Sequence, residues 1–328
     1  MNNYLNPMIF GNETEMVPTR NGYGEGLLEL GEKNTKVVVL TGDLAESTRV
    51  LEFAKKYPQR FIECGVAEQN MTGIAAGLAA AGKIPFVSSY AVFAPGRSWD
   101  QTRVSVAYSN LNVKIAGAHT GVSVGPDGAT HQALEDIAIM RVLPNMTVVA
   151  PCDALETKKA TLAAADIKGP VYMRFAREKT AVITTQETPF EIGKATIFWD
   201  STDKKKQVAI IGCGPLLYEC LIAAKELQEE GIGSMVINNH TIKPMDEKTI
   251  IRAATECGAV VTVEEHQVMG GMGSAVAELL ARSHPVPLEF VGMPDTFGES
   301  GEPKELLVKY GMDVKAIKEA VYKVIKRK

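Results

Sequence analysis

Four titratable side chains in two glycine-rich stretches are the first candidates for chemistry in this sequence. His119, Asp127 and His131 fall within one loop, AHTGVSVGPDGATHQ. Glu68 lies near the start of GVAEQNMTGIAAGLAAAG, a stretch built mostly of small residues. A helix of small residues lets another backbone or a flat ring system approach one of its faces closely. Since glycine-rich polar loops of this kind usually face a polar ligand, the two stretches indicate a ligand site near a carboxylate.

Each stretch also has a purely structural interpretation. A carboxylate in the first turn of a helix is stabilised by the helix dipole, so Glu68 is either a dipole partner or a working group. The loop residues are caps, metal ligands or ligand contacts. The two loop histidines match no helical His pair and have no Cys nearby, which argues against metal. Tyr90, Phe93 and Trp99, with Arg97 among them, are either core or a platform for a flat ligand.

Composition places the chain among ordinary globular proteins and excludes several classes. Its 328 residues are 45% hydrophobic and 23% charged, and the net charge of −4 gives no basic footprint for nucleic acid. No apolar run reaches transmembrane length, and the polar start, Met1 to Met16, predicts no signal peptide. Five dispersed cysteines without a CxxC pair favour reduced thiols and a cytoplasmic location.

Short apolar runs alternate with helical patterns along the whole chain. VVVLTGDL at 37–44, IPFVSSY at 84–90 and VKIAGAH at 113–119 are typical of strands covered on both faces. This alternation predicts an α/β fold with two domains, each a mostly parallel sheet flanked by helices. We expect residues 1–190 to form the first domain, 191–206 a linker marked by the charge run Asp203–Lys206, and 207–328 the second domain.

The second domain contains a glycine motif that resembles a dinucleotide fingerprint. IIGCGPLL, residues 210–217, follows a predicted strand and precedes a helix, but Leu217 replaces the third glycine. The next strand ends in Asn238–Asn239, where the fingerprint needs an acid for the ribose. We interpret this motif as a plain strand–helix turn.

A family resemblance joins these features. The stretches GVAEQNMTGIAAGLAAAGKIPFVSSYAVF, AHTGVSVGPDGATHQ and VYMRFARE resemble the transketolase family of thiamine-diphosphate enzymes. The resemblance covers residues 15–328 and is limited to the carboxyl-terminal half, namely the pyrimidine-binding domain and the C-terminal domain. It implies a split transketolase, in which a partner chain supplies the diphosphate-binding half, and a heterotetramer with two copies of each chain.

The resemblance also implies roles toward the cofactor. Glu68 matches the glutamate that activates the aminopyrimidine, and Tyr90 and Phe93 match the aromatic positions that hold this ring. Gly96 stands where many transketolases have a third aromatic residue, so Arg97 or Trp99 is expected to complete the wall. Asp43 and Leu44 are expected beside the cofactor, but they lack the second glycine of the family's metal motif. We therefore expect Mg2+ or Ca2+ on the partner chain and no metal ligand on this one.

Substrate residues carry over in the same way. Arg20, Ser47, His119 and Arg174 match the family's phosphate-contacting positions, and guanidinium groups suit phosphate because they bind it bidentately. Asp127 and His131 match residues that contact sugar hydroxyls. We expect Glu68, His131 and His119 to take part in catalysis. His131 is expected to assist proton transfer during cleavage and re-addition, since an imidazole titrates near neutral pH. Tyr172 and Arg177 are interpreted as structural.

The predicted function is transfer of a two-carbon ketol unit from a ketose phosphate to an aldose phosphate through a thiamine diphosphate carbanion, as in the pentose phosphate pathway. A second interpretation is the beta subunit of a 2-oxo acid dehydrogenase decarboxylating component, and a 1-deoxyxylulose-5-phosphate synthase fragment is a further relative. A third is a non-catalytic assembly protein that kept the fold. The intact set of Glu68, His119, Asp127 and His131 argues against the third, because a decayed site would be expected to lose at least one of them.

Overall fold

The computed structural model describes residues 4–11, 14–201 and 205–328. The predicted charge run Asp203–Lys206 therefore lies partly outside the described residues. Within the described ranges, each helix is too short or too polar to cross a lipid bilayer.

Strands and helices alternate along the described chain. The strands are β1 Met16–Pro18, β2 Val37–Thr41, β3 Phe61–Glu63, β4 Ile84–Tyr90, β5 Lys114–Ala118, β6 Thr147–Val149, β7 Val171–Arg174, β8 Lys179–Ala181, β9 Thr196–Asp200, β10 Lys206–Gly212, β11 Gly233–Asn238, β12 Thr241–Lys243, β13 Val260–Gln267 and β14 Leu288–Met293. The α-helices are α1 Thr19–Lys33, α2 Leu51–Lys56, α3 Glu68–Ala80, α4 Trp99–Gln101, α5 Asp136–Arg141, α6 Ala154–Asp166, α7 Leu217–Glu229, α8 Glu247–Cys257, α9 Met272–Ser283, α10 Pro303–Lys309 and α11 Val314–Ile325.

The first sheet has the strand order β12-β6-β7-β5-β4-β2-β3. Strands β2 to β7 pair in parallel, and β12 joins the edge antiparallel to β6. Strands β2 and β5 are buried at every position, as expected for a sheet with helices on both faces. A short antiparallel ribbon of β1 and β8 lies beside this sheet.

The second sheet has the order β14-β13-β10-β11-β9 and is parallel except for β9 at its edge. The predicted α/β architecture of two mostly parallel sheets flanked by helices is confirmed. The range predicted as a linker, 191–206, contains β9, which pairs with β11 of the second sheet. We therefore propose that the second domain begins near Thr196.

The two domains are joined by backbone pairing as well as by apolar packing. The N–H of Ala150, after β6, donates to the His240 carbonyl at 2.7 Å, and the Gly214 N–H donates to the Ala150 carbonyl at 3.1 Å. One apolar cluster includes Ile115 and Val148 of the first sheet together with Ile211 of the second. The turn in IIGCGPLL thus donates a hydrogen bond to the first domain through Gly214, which agrees with its interpretation as a structural turn.

Helix α3 presents two different faces. Met71, Ala75 and Ala76 are buried against the first sheet. Gly73 and Gly77 lie on the exposed face, and a Cβ added at either would meet no atom within 4 Å. Of the small residues predicted to form a low-bulk face, Gly73 and Gly77 therefore point away from the chain's own core, whereas Ala76 packs into it.

Candidate active site

The carboxyl edge of the first sheet gathers the candidate residues. Tyr90 ends β4 and lies opposite Ala118, the last residue of β5, so that His119 follows directly beside Tyr90. Glu68 comes after β3, on the turn into α3, and Arg177 lies three residues beyond the end of β7. Because parallel strands present their carboxyl ends at one edge, residues distant in sequence meet there.

Glu68 is a buried carboxylate at the mouth of this site. Its side chain is 1% exposed, in the first turn of α3. Arg97 donates from Nη1 to its Oε2 at 2.9 Å, while the Arg97 side chain is 49% exposed. The Arg97 guanidinium carbon also lies 4.6 Å from the centre of the Phe93 ring. Arg97 therefore connects the carboxylate to the aromatic wall, where the sequence lacks a third aromatic residue.

Aromatic and imidazole rings form the rest of the wall. The Tyr90 and His119 rings are stacked with centroids 3.8 Å apart, and Tyr90 and Phe93 are stacked at 6.0 Å. His131 meets both aromatic rings edge-on, at 6.1 Å from Tyr90 and 5.5 Å from Phe93. The structure thus brings these four sequence-predicted residues together, and Arg97 links the Phe93 ring to the buried Glu68 carboxylate.

His119 is held as a neutral imidazole. Burial, followed by the positive charges of Arg20 and Arg177, lowers the pKa of His119 to about 3. Arg20 Nη1 lies 3.4 Å from His119 Nε2, and since a guanidinium can only donate, Nε2 accepts and Nδ1 carries the proton. Nδ1 is buried and has no hydrogen-bond partner among the residues that the structure describes. A buried donor without a partner is costly, which indicates that this N–H is kept for a ligand.

Arginine side chains make the region around His119 strongly positive. Arg20 donates to the Ser47 carbonyl at 2.7 Å, and its buried Nε has no hydrogen-bond partner. Burial, then the charges of Arg49 and Arg177, lowers the pKa of Arg20. Positive charges held this close to one another favour binding of a phosphate or a similar anion. Ser47 faces this region through its carbonyl oxygen.

Asp127 and His131 lie in what we call the site loop, residues 119–132. Asp127 is exposed and belongs to a short 3-10 segment, Val122–Asp127. His131 is half-buried, and its Nδ1 lies 2.8 Å from the Thr130 hydroxyl. The two residues that the sequence analysis assigned to sugar contacts, Asp127 and His131, therefore lie on the same loop.

Arg174 does not reach this site. It is 4% exposed and forms a bidentate ion pair with Asp136, through Nε at 2.8 Å and Nη2 at 3.0 Å. Nη2 also donates to the Glu265 carbonyl at 3.1 Å. Its predicted contact with phosphate is therefore corrected, because these bonds hold the side chain in the domain interior.

Arg177, which the sequence analysis treated as structural, lies near the charged groups around His119. Its Nη1 donates to the Val124 carbonyl of the site loop at 2.7 Å, and its charge acts on both Arg20 and His119. Arg49 was not singled out at all. Its Nε donates to the Asn21 side chain at 3.0 Å, next to Arg20. Arg177 could have been recognised from the sequence, because it lies just beyond the end of a predicted strand. Arg49 could not, because its backbone adopts a positive φ of 66° that the sequence does not reveal.

Asp43 and Leu44 lie at the end of β2, on the same edge of the sheet. The Asp43 N–H donates to the Glu63 carboxylate at 2.8 Å, and its side chain is exposed. The Leu44 carbonyl accepts from the Thr48 backbone and hydroxyl. Among the residues that the structure describes, no group of three or more His, Cys, Asp or Glu side chains is arranged to hold a metal ion.

Comparisons with known proteins agree with this geometry. Residues 15–182 match the family described as the transketolase pyrimidine-binding domain, and residues 199–317 match the transketolase C-terminal domain. The chain is 43% identical over 309 residues to a 6-deoxy-6-sulfo-D-fructose transketolase subunit of Clostridium sp., covering 94% of this chain and 95% of that subunit. It is 39% identical over 313 residues to an apulose-4-phosphate transketolase subunit of Phocaeicola vulgatus, covering 95% of this chain and 99% of that one.

A solved structure extends the agreement to three dimensions. The fold matches a split gene transketolase described as an inactive beta4 tetramer, with a TM-score of 0.87, 46% identity and coverage of 94% of this chain and 99% of that one. Both the sequence and the fold match over nearly the full length of these relatives. This chain belongs to the transketolase family, with the family's pyrimidine-binding and C-terminal domains.

Proposed function

We propose that this chain is the pyrimidine-binding subunit of a split transketolase that transfers a two-carbon ketol unit between sugars carrying a terminal anion. The observation that carries the proposal is the buried Glu68 carboxylate, which Arg97 links to the stacked rings of Phe93 and Tyr90, with positive charge around His119. A carboxylate, flat ring faces and cations are the groups that a pyrimidine cofactor and an anionic sugar require.

The site fits the aminopyrimidine of thiamine diphosphate on three counts. Glu68 offers a carboxylate that is shielded from water, Tyr90 and Phe93 offer flat apolar faces, and Arg97 extends the Phe93 wall toward the carboxylate. Thiamine diphosphate, when bound, supplies a nucleophilic thiazolium carbon and an electron sink for cleavage of the bond next to a carbonyl group. Arg97, which donates to Glu68 Oε2, competes with a pyrimidine nitrogen for that oxygen.

Each residue of this chain then has a distinct role. Glu68 holds or shares a proton at the pyrimidine nitrogen, and its burial strengthens this hydrogen bond. His119 stays neutral and donates from Nδ1 to a substrate oxygen, since its pKa is lowered to about 3. His131 is placed at the edge of both aromatic rings and transfers protons to and from the sugar oxygens. Asp127 accepts hydrogen bonds from sugar hydroxyls.

Arg20, Arg49 and Arg177 recognise the terminal anion of the sugar. Burial and the charges of Arg49 and Arg177 lower the pKa of Arg20, and an anion bound among the three side chains offsets this repulsion. Two relatives support a sugar that carries either a sulfonate or a phosphate, because one is described as a transketolase subunit for a sulfo-sugar and the other for a sugar phosphate. Phosphate and sulfonate share the tetrahedral oxygens that guanidinium groups bind.

A partner chain is expected to supply the diphosphate-binding half and its Mg2+ or Ca2+. The open face of α3 at Gly73 and Gly77 suits a closely packed subunit contact. The relative described as inactive is a tetramer of beta chains, which supports a requirement for a second kind of subunit. We propose a heterotetramer with two copies of each chain.

Co-expression with the candidate partner tests the proposal. We expect one complex on size exclusion, saturable binding of thiamine diphosphate with Mg2+, and ketol transfer from one of a panel of donors that includes xylulose 5-phosphate and 6-deoxy-6-sulfo-D-fructose. A formed complex that binds the cofactor but acts on 2-oxo acids instead would overturn the substrate class. A monomer that ignores the partner would overturn the split-enzyme proposal itself.

A further inference from the structure

The site loop carries His119, Asp127 and His131 but makes few bonds within itself. The internal backbone bonds in its second half run from the Gly128 N–H to the Gly125 carbonyl at 3.1 Å and from the His131 N–H to the Gly128 carbonyl at 3.0 Å. His119 and several loop glycines adopt positive φ angles, which glycine tolerates but which favour no particular regular structure. A loop of this kind needs partners outside itself to hold a defined shape.

The C-terminal domain supplies bonds to both ends of the site loop. At its start, Glu265 of β13 accepts the Ser123 N–H through Oε1 at 2.7 Å. At its end, Gln132 donates from Nε2 to the Val122 carbonyl at 3.1 Å and to the Glu299 carbonyl at 2.9 Å. Gln132 thereby joins both ends of the loop to a segment of the second domain. The Glu265 and Gln132 side chains belong to the buried interior, where water does not replace a lost bond.

The site loop and the C-terminal domain are also tightly packed against each other. A Cβ added at Gly121 would lie 2.1 Å from Glu265 Oε1, and one at Gly298 would lie 2.0 Å from Gln132 Oε1. A Cβ at Gly128 would lie 2.6 Å from the Ser300 hydroxyl oxygen. The loop backbone therefore lies directly against the second domain along most of its length, and a shift of about 1 Å would produce clashes or lost bonds.

We propose that the C-terminal domain sets the shape of the site loop, with Glu265 and Gln132 as positioning residues for ketol transfer. They act through the loop by fixing where His119 and His131 lie relative to Tyr90 and Phe93. This inference rests on the proposed function for its effect on catalysis. Its structural part, that these two side chains hold residues 119–132 in place, stands independently of the reaction.

Matched variants separate positioning from stability. Glu265→Gln keeps an oxygen that can accept the Ser123 N–H, whereas Glu265→Met has a similar size but cannot accept it. Gln132→Met removes both donated bonds at the other end of the loop. Asp313→Ala serves as the stability control, because Asp313 caps α11 by accepting the Ala316 N–H at 3.0 Å, and α11 belongs to the same domain.

The first readout is kinetic, in the complex with the partner chain. We expect Glu265→Met and Gln132→Met to lower kcat/KM for the sugar acceptor by roughly 100-fold, since a misplacement of about 1 Å has effects of that size. Glu265→Gln should stay within about threefold of wild type. The Kd for thiamine diphosphate should change by less than about twofold in each variant, because Glu68, Tyr90 and Phe93 lie on other elements. Asp313→Ala should keep its kcat/KM.

The second readout is hydrogen–deuterium exchange of the full chain, which needs no activity. We expect Glu265→Met to speed exchange of peptides within 119–132 by at least about tenfold while leaving peptides from β2 unchanged, and Asp313→Ala to leave 119–132 as in wild type. Equal losses in Glu265→Gln and Glu265→Met, or unchanged exchange in Glu265→Met, would overturn the proposal. If the wild-type complex shows no ketol transfer, the proposed function fails, and the exchange result still decides the role of Glu265.

Discussion

Arg174 and Arg177 lie three residues apart, but we expect replacement of Arg174 to lower stability and replacement of Arg177 to weaken binding of a phosphorylated acceptor. Arg174 and Asp136 are 4% and 1% exposed, and the pair is bonded at 2.8 and 3.0 Å. Tyr172 adds a hydrogen bond from its hydroxyl to Asp136 at 2.7 Å. Arg174→Met would leave a buried carboxylate with this one hydroxyl, and breaking a buried pair in this way costs about 3–5 kcal/mol of unfolding free energy. For a chain of this size we expect a fall in Tm of roughly 10 °C.

The pH dependence of this loss follows from Asp136. Burial alone would raise the pKa of Asp136, but the Arg174 guanidinium holds it below its ordinary value. Without Arg174 the pKa in the folded state rises above that of the unfolded chain, so the variant loses stability as pH increases through this interval. The wild type instead gains stability as pH increases, since the pKa of Asp136 is lower in the folded chain than in the unfolded chain. The difference in Tm should therefore be larger at pH 8 than at pH 5.

Arg177→Met is the matched comparison. Its side chain is 30% exposed, and its hydrogen bond to Val124 is made at the edge of the site. We expect Tm to stay within about 2 °C. Loss of a hydrogen bond to a charged group is worth about 1.5–3 kcal/mol, so KM for a phosphorylated acceptor should rise between about tenfold and about 150-fold. An unphosphorylated acceptor should change less, because it loses no bond to a terminal anion and feels only the loss of the Arg177 bond to the site loop.

Thermal unfolding at both pH values and steady-state kinetics with the two acceptors test this pair of predictions. The reasoning is refuted if Arg174→Met keeps the wild-type Tm and raises KM for phosphorylated acceptors alone. That result would return Arg174 to the anion site. A loss of stability that does not depend on pH would refute the account of Asp136.

Three further predictions concern the cofactor site. Glu68→Gln should lower kcat by at least about 1,000-fold while the complex still assembles, because the amide keeps an acceptor for Arg97 but cannot share a proton as a carboxyl does; near-normal turnover would contradict this. His119→Asn should lower kcat/KM by the same factor at every pH between 5.5 and 8, because a base with a pKa of about 3 stays neutral throughout; a factor that changes with pH would contradict it. Arg97→Met should tighten thiamine diphosphate binding by about fivefold in a calorimetric titration, since a half-exposed ion pair worth about 1 kcal/mol no longer competes for Glu68; weaker binding would contradict it.

The sequence predicted the features that follow local rules. Alternating apolar runs predicted the parallel sheet, and the family resemblance pointed to Glu68, Tyr90 and His119, which the structure places at one edge of that sheet. Strand β12 was not predicted, because its pairing with β6 depends on a partner nearly 100 residues away and leaves no local pattern. The edge strand β9 was assigned to a linker for a similar reason, since a short antiparallel edge strand need not show the long apolar run of a buried one.

The arginines show where reasoning from residue types ends. Both Arg174 and Arg177 follow the same apolar run, and each has the chemistry that phosphate requires. The ion pair with Asp136 selects between them, and Asp136 lies on α5, some 40 residues earlier. Residue type thus identified the kind of group needed, while long-range pairing decided which residue is free to do it.

The central claim is that Glu68 of this chain completes a thiamine-dependent ketol transfer with a partner chain. The most direct test is an assay of both chains together and of each alone, with thiamine diphosphate, Mg2+, ribose 5-phosphate as acceptor and the panel of donors that includes xylulose 5-phosphate and 6-deoxy-6-sulfo-D-fructose. The account predicts that the mixture releases the aldose shortened by two carbons from at least one donor, that neither chain alone releases it, and that almost none is released when Glu68→Gln replaces the wild type. Full release by the partner alone, or by the mixture containing Glu68→Gln, would contradict it.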